Sequence, residues 1–117
     1  PTEVMPLVAE ALEVPVVRVR ECASFYTMYR LEPPGRHHIE VCTNVSCQVR
    51  GGEEILETLC RRFGVRPGET SADGKVTLDV VECLGSCGTA PVLADNREYV
   101  ERVTRSKLEK LIEEWSA

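Results

Sequence analysis

The 117-residue chain has no apolar run approaching the roughly 20 residues a membrane-spanning helix requires. Direct membrane insertion is therefore not expected, and any membrane association has to go through a partner. There is no basic surplus either: 14 Lys and Arg face 19 Asp and Glu, for a formal net charge of −5. Proteins that grip a phosphate backbone carry a clustered basic face, so no nucleic-acid partner is expected. Motifs of substrate chemistry are also missing. The chain has no G-x-G-x-x-G, no P-loop and no nucleophile set beside a base, so it is not expected to transform a substrate itself. Pro1 is followed by neither a basic stretch nor an apolar signal region, so no export signal is read.

What the chain does have is cysteine: Cys22, Cys42, Cys47, Cys60, Cys83 and Cys87. An even number would permit three disulfides. A chain that is neither tiny nor loop-rich, and that shows no secretion signal, points instead to reduced thiols with a metal or redox role. A dithiol oxidoreductase normally displays C-x-x-C ahead of a helix, and no C-x-x-C occurs.

The first 30 residues read as helical. Val4, Leu7, Val8, Ala11 and Leu12 recur at helical spacing; Pro15 starts afresh, and Val19, Cys22, Ala23 and Tyr26 continue the pattern. Glu32-Pro33-Pro34-Gly35 reads as a linker. Beyond it, residues 38–42 have strand character, 51–63 form an amphipathic helix closed by Gly64, 66–75 form a loop, and 76–83 a second strand. A hairpin is expected to turn at Asp95 and Asn96. Leu108, Leu111, Ile112 and Trp115 stripe a C-terminal helix, with Thr104 or Ser106 as its N-cap. This is an α/β pattern. A strand, helix, strand unit makes a right-handed crossover between parallel strands, so Cys42 and Cys83 are expected side by side at one sheet edge.

The two loops there are Cys42-Thr-Asn-Val-Ser-Cys47 and Cys83-Leu-Gly-Ser-Cys87, with 35 residues between them. Four thiolates from two short loops suit a tetrahedral zinc or a [2Fe-2S] cluster. The four-residue gap is wider than a zinc knuckle and favours the cluster, while zinc remains an alternative. Small, turn-prone residues (Thr43, Asn44, Ser46, Gly85, Ser86 and Gly88) let backbone N–H groups turn toward an anionic group, and Gly51-Gly52 places a helix N-terminus nearby.

VCTNVSCQVRGG followed by VVECLGSCGTAPV, with the SFYTMY stretch upstream, closely resembles the thioredoxin-like [2Fe-2S] ferredoxin family. The resemblance covers nearly the whole chain. It implies a thioredoxin-like α/β domain with a mixed sheet over residues 35–117, preceded by a helical segment over 1–34. It carries the cluster ligands onto Cys42, Cys47, Cys83 and Cys87, and suggests a cis bond before Pro91. The implied role is non-catalytic electron transfer within respiratory NADH:quinone oxidoreductase, complex I. The implied partner is a flavoprotein that holds FMN and binds NADH, and the implied location is cytoplasmic, peripheral to the inner membrane (the matrix side in a eukaryote). Related roles open to the family are a place in an NAD-linked hydrogenase or formate dehydrogenase, or a stand-alone ferredoxin. The family's helical N-terminal region is usually longer than the one read here.

Cys60 and Cys22 lie on apolar helix stripes and read as core thiols. His37 and His38 suggest a Rieske-type centre, but adjacent strand residues face opposite ways and four cysteines already complete a site, so they read as strand-edge residues. Phe25, Tyr26 and Tyr29 suit packing and partner docking equally. Arg61 and Arg62 read as a solvated face.

Overall fold

The computed structural model describes all 117 residues, which divide into two compact units, Pro1–Pro33 and Pro34–Ala117. In the first, α1 (Met5–Ala11) carries Pro6 in its opening turn, where the missing N–H would have no intrahelical partner anyway. Helix α2 (Val16–Phe25) starts at Pro15. Only Met5 and Ala9 are buried here. Cys22 is exposed, contrary to the reading from its spacing. Val19 and Ala23, four residues apart, take the half-buried line of α2, and Cys22 falls beside it. Phe25, Tyr26 and Tyr29 form a chain of edge-to-face rings, with centroids 5.0 and 6.4 Å apart, on the exposed surface.

The second unit is built on a five-stranded mixed sheet. Its elements are β1 (His37–Cys42), α3 (Val45–Val49), α4 (Gly52–Phe63), β2 (Glu69–Thr70), β3 (Val76–Val81), β4 (Leu93–Asp95), β5 (Glu98–Val100) and α5 (Arg105–Ser116). The strand order is β2-β3-β1-β4-β5. β1 and β3 are parallel, joined through α4 as the crossover rule requires, and the other pairings are antiparallel. The register sets Cys42 opposite Val81.

Alternation along β1 divides the molecule. Ile39 and Val41 enter the main core with Leu78, Leu93, Ile55 and Leu59, and with Leu108, Ile112 and Trp115 of α5. Each such side chain, fully buried, contributes roughly 1.5–3 kcal/mol. Cys42, on the opposite face, joins a smaller cluster with Cys47, Ala90 and Val92. Helix ends follow residue chemistry. Gly64 closes α4 at φ 64, and the Thr104 hydroxyl accepts from the Lys107 N–H at the start of α5. Asn96 and Arg97 turn the β4–β5 hairpin with φ of 50 and 78, the left-handed pair a two-residue turn of this hand needs.

Three local elements depart from the sequence pattern. Helix α3, one turn long, is too short for periodicity to reveal; it forms because Asn44 Oδ1 accepts from the Val45 N–H. Strand β2 emerges from the stretch read as loop by pairing Glu69 and Thr70 with β3. Strand β3 stops at Val81, where β1 ends and pairing is lost, so Cys83 lies two residues past the strand rather than on it. Of the two histidines, His37 opens β1, the central strand, and His38 beside it is buried.

Candidate metal centre

The end of β1 and the segment after β3 bring four thiols together. Cys42 closes β1, Cys47 sits in α3, Cys83 follows β3, and Cys87 opens a single 3-10 turn, Cys87–Thr89. Cys42 and Cys47 are buried against Ala90, Val92, Val81 and Leu84, whereas Cys83 and Cys87 are exposed. The Cys42 thiol feels those of Cys47 and Cys83 electrostatically, and Cys47 feels the charge of Cys87. All four are free thiols.

Backbone donors surround the sulfurs. The N–H of Gly85 donates to Cys83 Sγ at 3.2 Å, from a backbone with φ 74 that a side chain would strain. Burial pushes the Cys42 thiol up, but hydrogen bonds from the Asn44 and Leu84 backbone, with the Cys47 and Cys83 thiols, outweigh it and leave the group below its ordinary value. Burial pushes the Cys47 thiol up; a bond from the Val92 backbone opposes this, and the neighbouring Cys42 adds to it. Four thiols so arranged, one of them poised to carry charge, could hold a thiolate-bound metal group.

The loops are held by residues outside the cysteine motif. Asn44 Nδ2 donates to the Glu82 carbonyl at 2.8 Å and so joins the two loops. Tyr99 donates its hydroxyl to the Leu84 carbonyl at 2.7 Å. Glu101 accepts from Ser86 Oγ at 2.5 Å and from Thr89 Oγ1 at 2.8 Å. Gly52 lets the first turn of α4 lie against the motif: a Cβ there would stand 2.9 Å from the Cys42 carbonyl oxygen and 3.0 Å from that of Cys47. The Ala90-Pro91 bond, next to the buried pair, is cis. Asn44 and Gly52 stand out in the sequence, but Tyr99 and Glu101 do not. A hairpin strand followed by an acid, returning from the turn at Asn96, is the one sequence signal that could have found them.

Other candidate residues lie elsewhere. His37 and His38 stand at the opposite end of β1 from Cys42. His37 Nδ1 lies 2.9 Å from Asp95 Oδ2 and His38 Nε2 2.5 Å from Asp79 Oδ2, so both are structural pairs. Cys60 is half-buried against the main core, and burial pushes its thiol up, as a core thiol's would be. Arg61 and Arg62 are exposed, and Arg62 pairs with Glu109 of α5 at 2.8 Å.

The chain is similar to known proteins along almost its whole length. The family model of the thioredoxin-like [2Fe-2S] ferredoxins matches residues 1–116. A protein of Rickettsia felis, named as one of the subunits of NADH-quinone oxidoreductase, is 41% identical over 99% of the chain, which spans 70% of that protein. Its namesake in Rickettsia prowazekii is 44% identical over 92% of the chain and 61% of its own length. A protein of Rhizobium meliloti, also named as belonging to NADH-quinone oxidoreductase, is 43% identical over the whole chain and 70% of its own length. Among solved structures, an NAD+-reducing [NiFe]-hydrogenase in the H2-reduced state superposes with a TM-score of 0.90 at 24% identity, covering 99% of this chain and 20% of that one. A cysteine-to-serine variant of the thioredoxin-like [2Fe-2S] ferredoxin from Aquifex aeolicus gives a TM-score of 0.55 at 16% identity, over 67% of this chain and 84% of that one. Both structural likenesses concern the fold. With its paired cysteine loops and a family match running along almost its entire length, the chain belongs to the thioredoxin-like [2Fe-2S] ferredoxin family.

Proposed function

We propose that the chain is the [2Fe-2S] electron-transfer component of an NADH-quinone oxidoreductase, with Cys42, Cys47, Cys83 and Cys87 as the cluster ligands. The single observation that carries this is the convergence of four free thiols, two buried and two exposed, under backbone donors from Asn44, Leu84, Gly85 and Val92. A [2Fe-2S] group held there supplies one-electron transfer. The chain's own contribution is to bind and tune. The N–H groups stabilise negative charge on sulfur, the apolar cluster of Ala90, Val92, Val81 and Leu84 keeps water from Cys42 and Cys47, and the exposed Cys83 and Cys87 leave one side open to a partner.

The loop lengths support an iron–sulfur group over a single zinc. Four residues part Cys42 from Cys47 and three part Cys83 from Cys87, wider than the two-residue knuckle usual for structural zinc. A two-iron group divides its thiolates between two metals.

The quinone-linked reading rests on relatives 41–44% identical and named as subunits of NADH-quinone oxidoreductase, against 24% identity to the hydrogenase. The partner in this reading is a flavoprotein carrying FMN and binding NADH, and the complex holds the chain peripherally at the cytoplasmic face of the membrane. In keeping with this, no helix is long and apolar enough to cross a membrane. Anaerobic reconstitution tests the ligand set: about two iron and two acid-labile sulfide per chain are expected, with a red-brown colour. Cys83→Ser is expected to lose the cluster, and Cys60→Ser to retain it. Zinc without sulfide in the native preparation would overturn the cluster, and failure to co-purify with a flavoprotein would overturn the partner.

A further inference from the structure

A second concave site lies on this acidic chain, and its charge is of the opposite sign. A cleft of about 740 Å³ opens between the length of α4 and the start of α5 and is lined by Arg50, Arg61, Arg102 and Arg105, with Glu54 and Glu57 the only carboxylates on its wall. None of the four arginines forms an ion pair, although the charge of Arg102 is felt by Glu101, whereas Arg18 and Arg62 elsewhere are paired. Four unpaired guanidinium groups around one cavity repel each other, and solvent or a bound anion must offset that. Backbone geometry adds to the polarity. The start of α4 is capped by Gly51, which offers no side chain, so its first N–H groups lack a side-chain acceptor. Arg102 is held in the left-handed region, φ 49, while its N–H donates to the Thr89 carbonyl at 2.8 Å. A non-glycine residue kept in such a conformation marks a site where the surrounding structure imposes the geometry.

We propose that this cleft binds an oxyanion of the phosphate class, free or carried by a small molecule. Guanidinium forks match phosphate oxygens in pairs of hydrogen bonds. The volume is that of a small-molecule site rather than of a flat protein interface. The excess of four arginines over two glutamates leaves the wall positive although the chain as a whole carries −5. The cleft does not use the four thiols, but Gly88, Ala90 and Pro91 on its wall follow Cys87 directly, so a bound anion would lie beside the cysteine loops.

Titration calorimetry on the cluster-loaded protein at low ionic strength tests the site, with inorganic phosphate, inorganic pyrophosphate and ADP as probes. Pyrophosphate is expected to bind more tightly than phosphate, and added salt to weaken both. ADP binding tighter than pyrophosphate assigns the carried form, and the reverse order the free form. Arg61 belongs to α4 and Arg105 to α5 rather than to the cysteine loops, so Arg61→Gln with Arg105→Gln is expected to weaken binding at least about tenfold while leaving the visible spectrum of the cluster unchanged. Arg18→Gln, outside the cleft, is expected to bind as the parent does. Equal binding by the double variant overturns the proposal. So does an absence of phosphate-class binding, including the case in which a glutamate-rich peptide binds instead.

Discussion

Asn44 and Glu82 are joined by one hydrogen bond, from Asn44 Nδ2 to the Glu82 carbonyl at 2.8 Å, and with it the two cysteine loops become one structure. The same side chain caps α3 through Oδ1, so Asn44 positions Cys47 and the approach to Cys83 at once. Asn44→Ala removes both interactions and is expected to cost about 1–2 kcal/mol. The urea midpoint is expected to fall accordingly. In reconstituted protein the visible absorbance should bleach faster under a chelator. A variant with the parent's midpoint and bleaching rate would show that the loops are held together by other means.

Much of this site was legible in the residues, and what was not has a physical cause. The strand character of residues 38–42 and 76–81, with a helical stripe between, called for parallel neighbours, and β1 and β3 are parallel. Two cysteine loops following such strands had to meet. Helix α3 was hidden because a single turn shows no period, and the two residues of β2 because pairing with β3, not propensity, makes them a strand. Cys22 is exposed although it lies on an apolar stripe, because such a stripe identifies which residues share a line on a helix, not which line is covered. Tyr99 and Glu101 were invisible because their partners, Leu84, Ser86 and Thr89, come from across the fold.

Glu101 connects acid stability to the second loop. Hydrogen bonds from Ser86 and then Thr89 hold its carboxyl below the usual glutamate range, with Arg102 and Lys107 nearby adding to the effect. A carboxyl depressed on folding contributes stability that is present above its unfolded pKa and lost as pH falls through the lower folded value. Glu101→Gln is therefore expected to be less stable than the parent at neutral pH, with the difference shrinking on acidification below the ordinary glutamate range. Denaturant midpoints of both proteins across that range measure it. A gap that stays constant with pH would assign the effect to loop shape rather than charge.

Gly52 separates backbone space from helix propensity. Alanine in place of glycine inside a helix ordinarily stabilises by roughly 1 kcal/mol. At Gly52 the new Cβ would meet the carbonyl oxygens of Cys42 and Cys47 at 2.9 and 3.0 Å, and neither can move without displacing its own cysteine. Gly52→Ala is expected to reconstitute with little or no cluster. Gly88→Ala, next to Cys87 but facing open space, is expected to reconstitute normally. Iron and sulfide content per chain compares the two, and equal loading would mean that α4 can retreat from the motif without cost.

Asp95 is the anchor of the far end of the sheet. Its Oδ2 accepts from Trp115 Nε1 of α5 at 2.9 Å and lies 2.9 Å from His37 Nδ1 of β1, while its Oδ1 is buried without a partner. Trp115→Phe removes one donor from an already under-satisfied carboxylate and shrinks a fully buried side chain, so a loss of about 2 kcal/mol or more is expected. His37→Ala removes the other contact. Because both act on one oxygen, their combined effect is expected to differ from the sum of the single effects. His37 and Cys42 occupy opposite ends of β1, roughly 17 Å apart along an extended strand. The visible spectrum of reconstituted Trp115→Phe is therefore expected to match that of the parent even as its unfolding midpoint falls. A changed spectrum at full folding would mean that strain at the Asp95 end is transmitted along β1 to the thiols, making the central strand part of the site rather than its support.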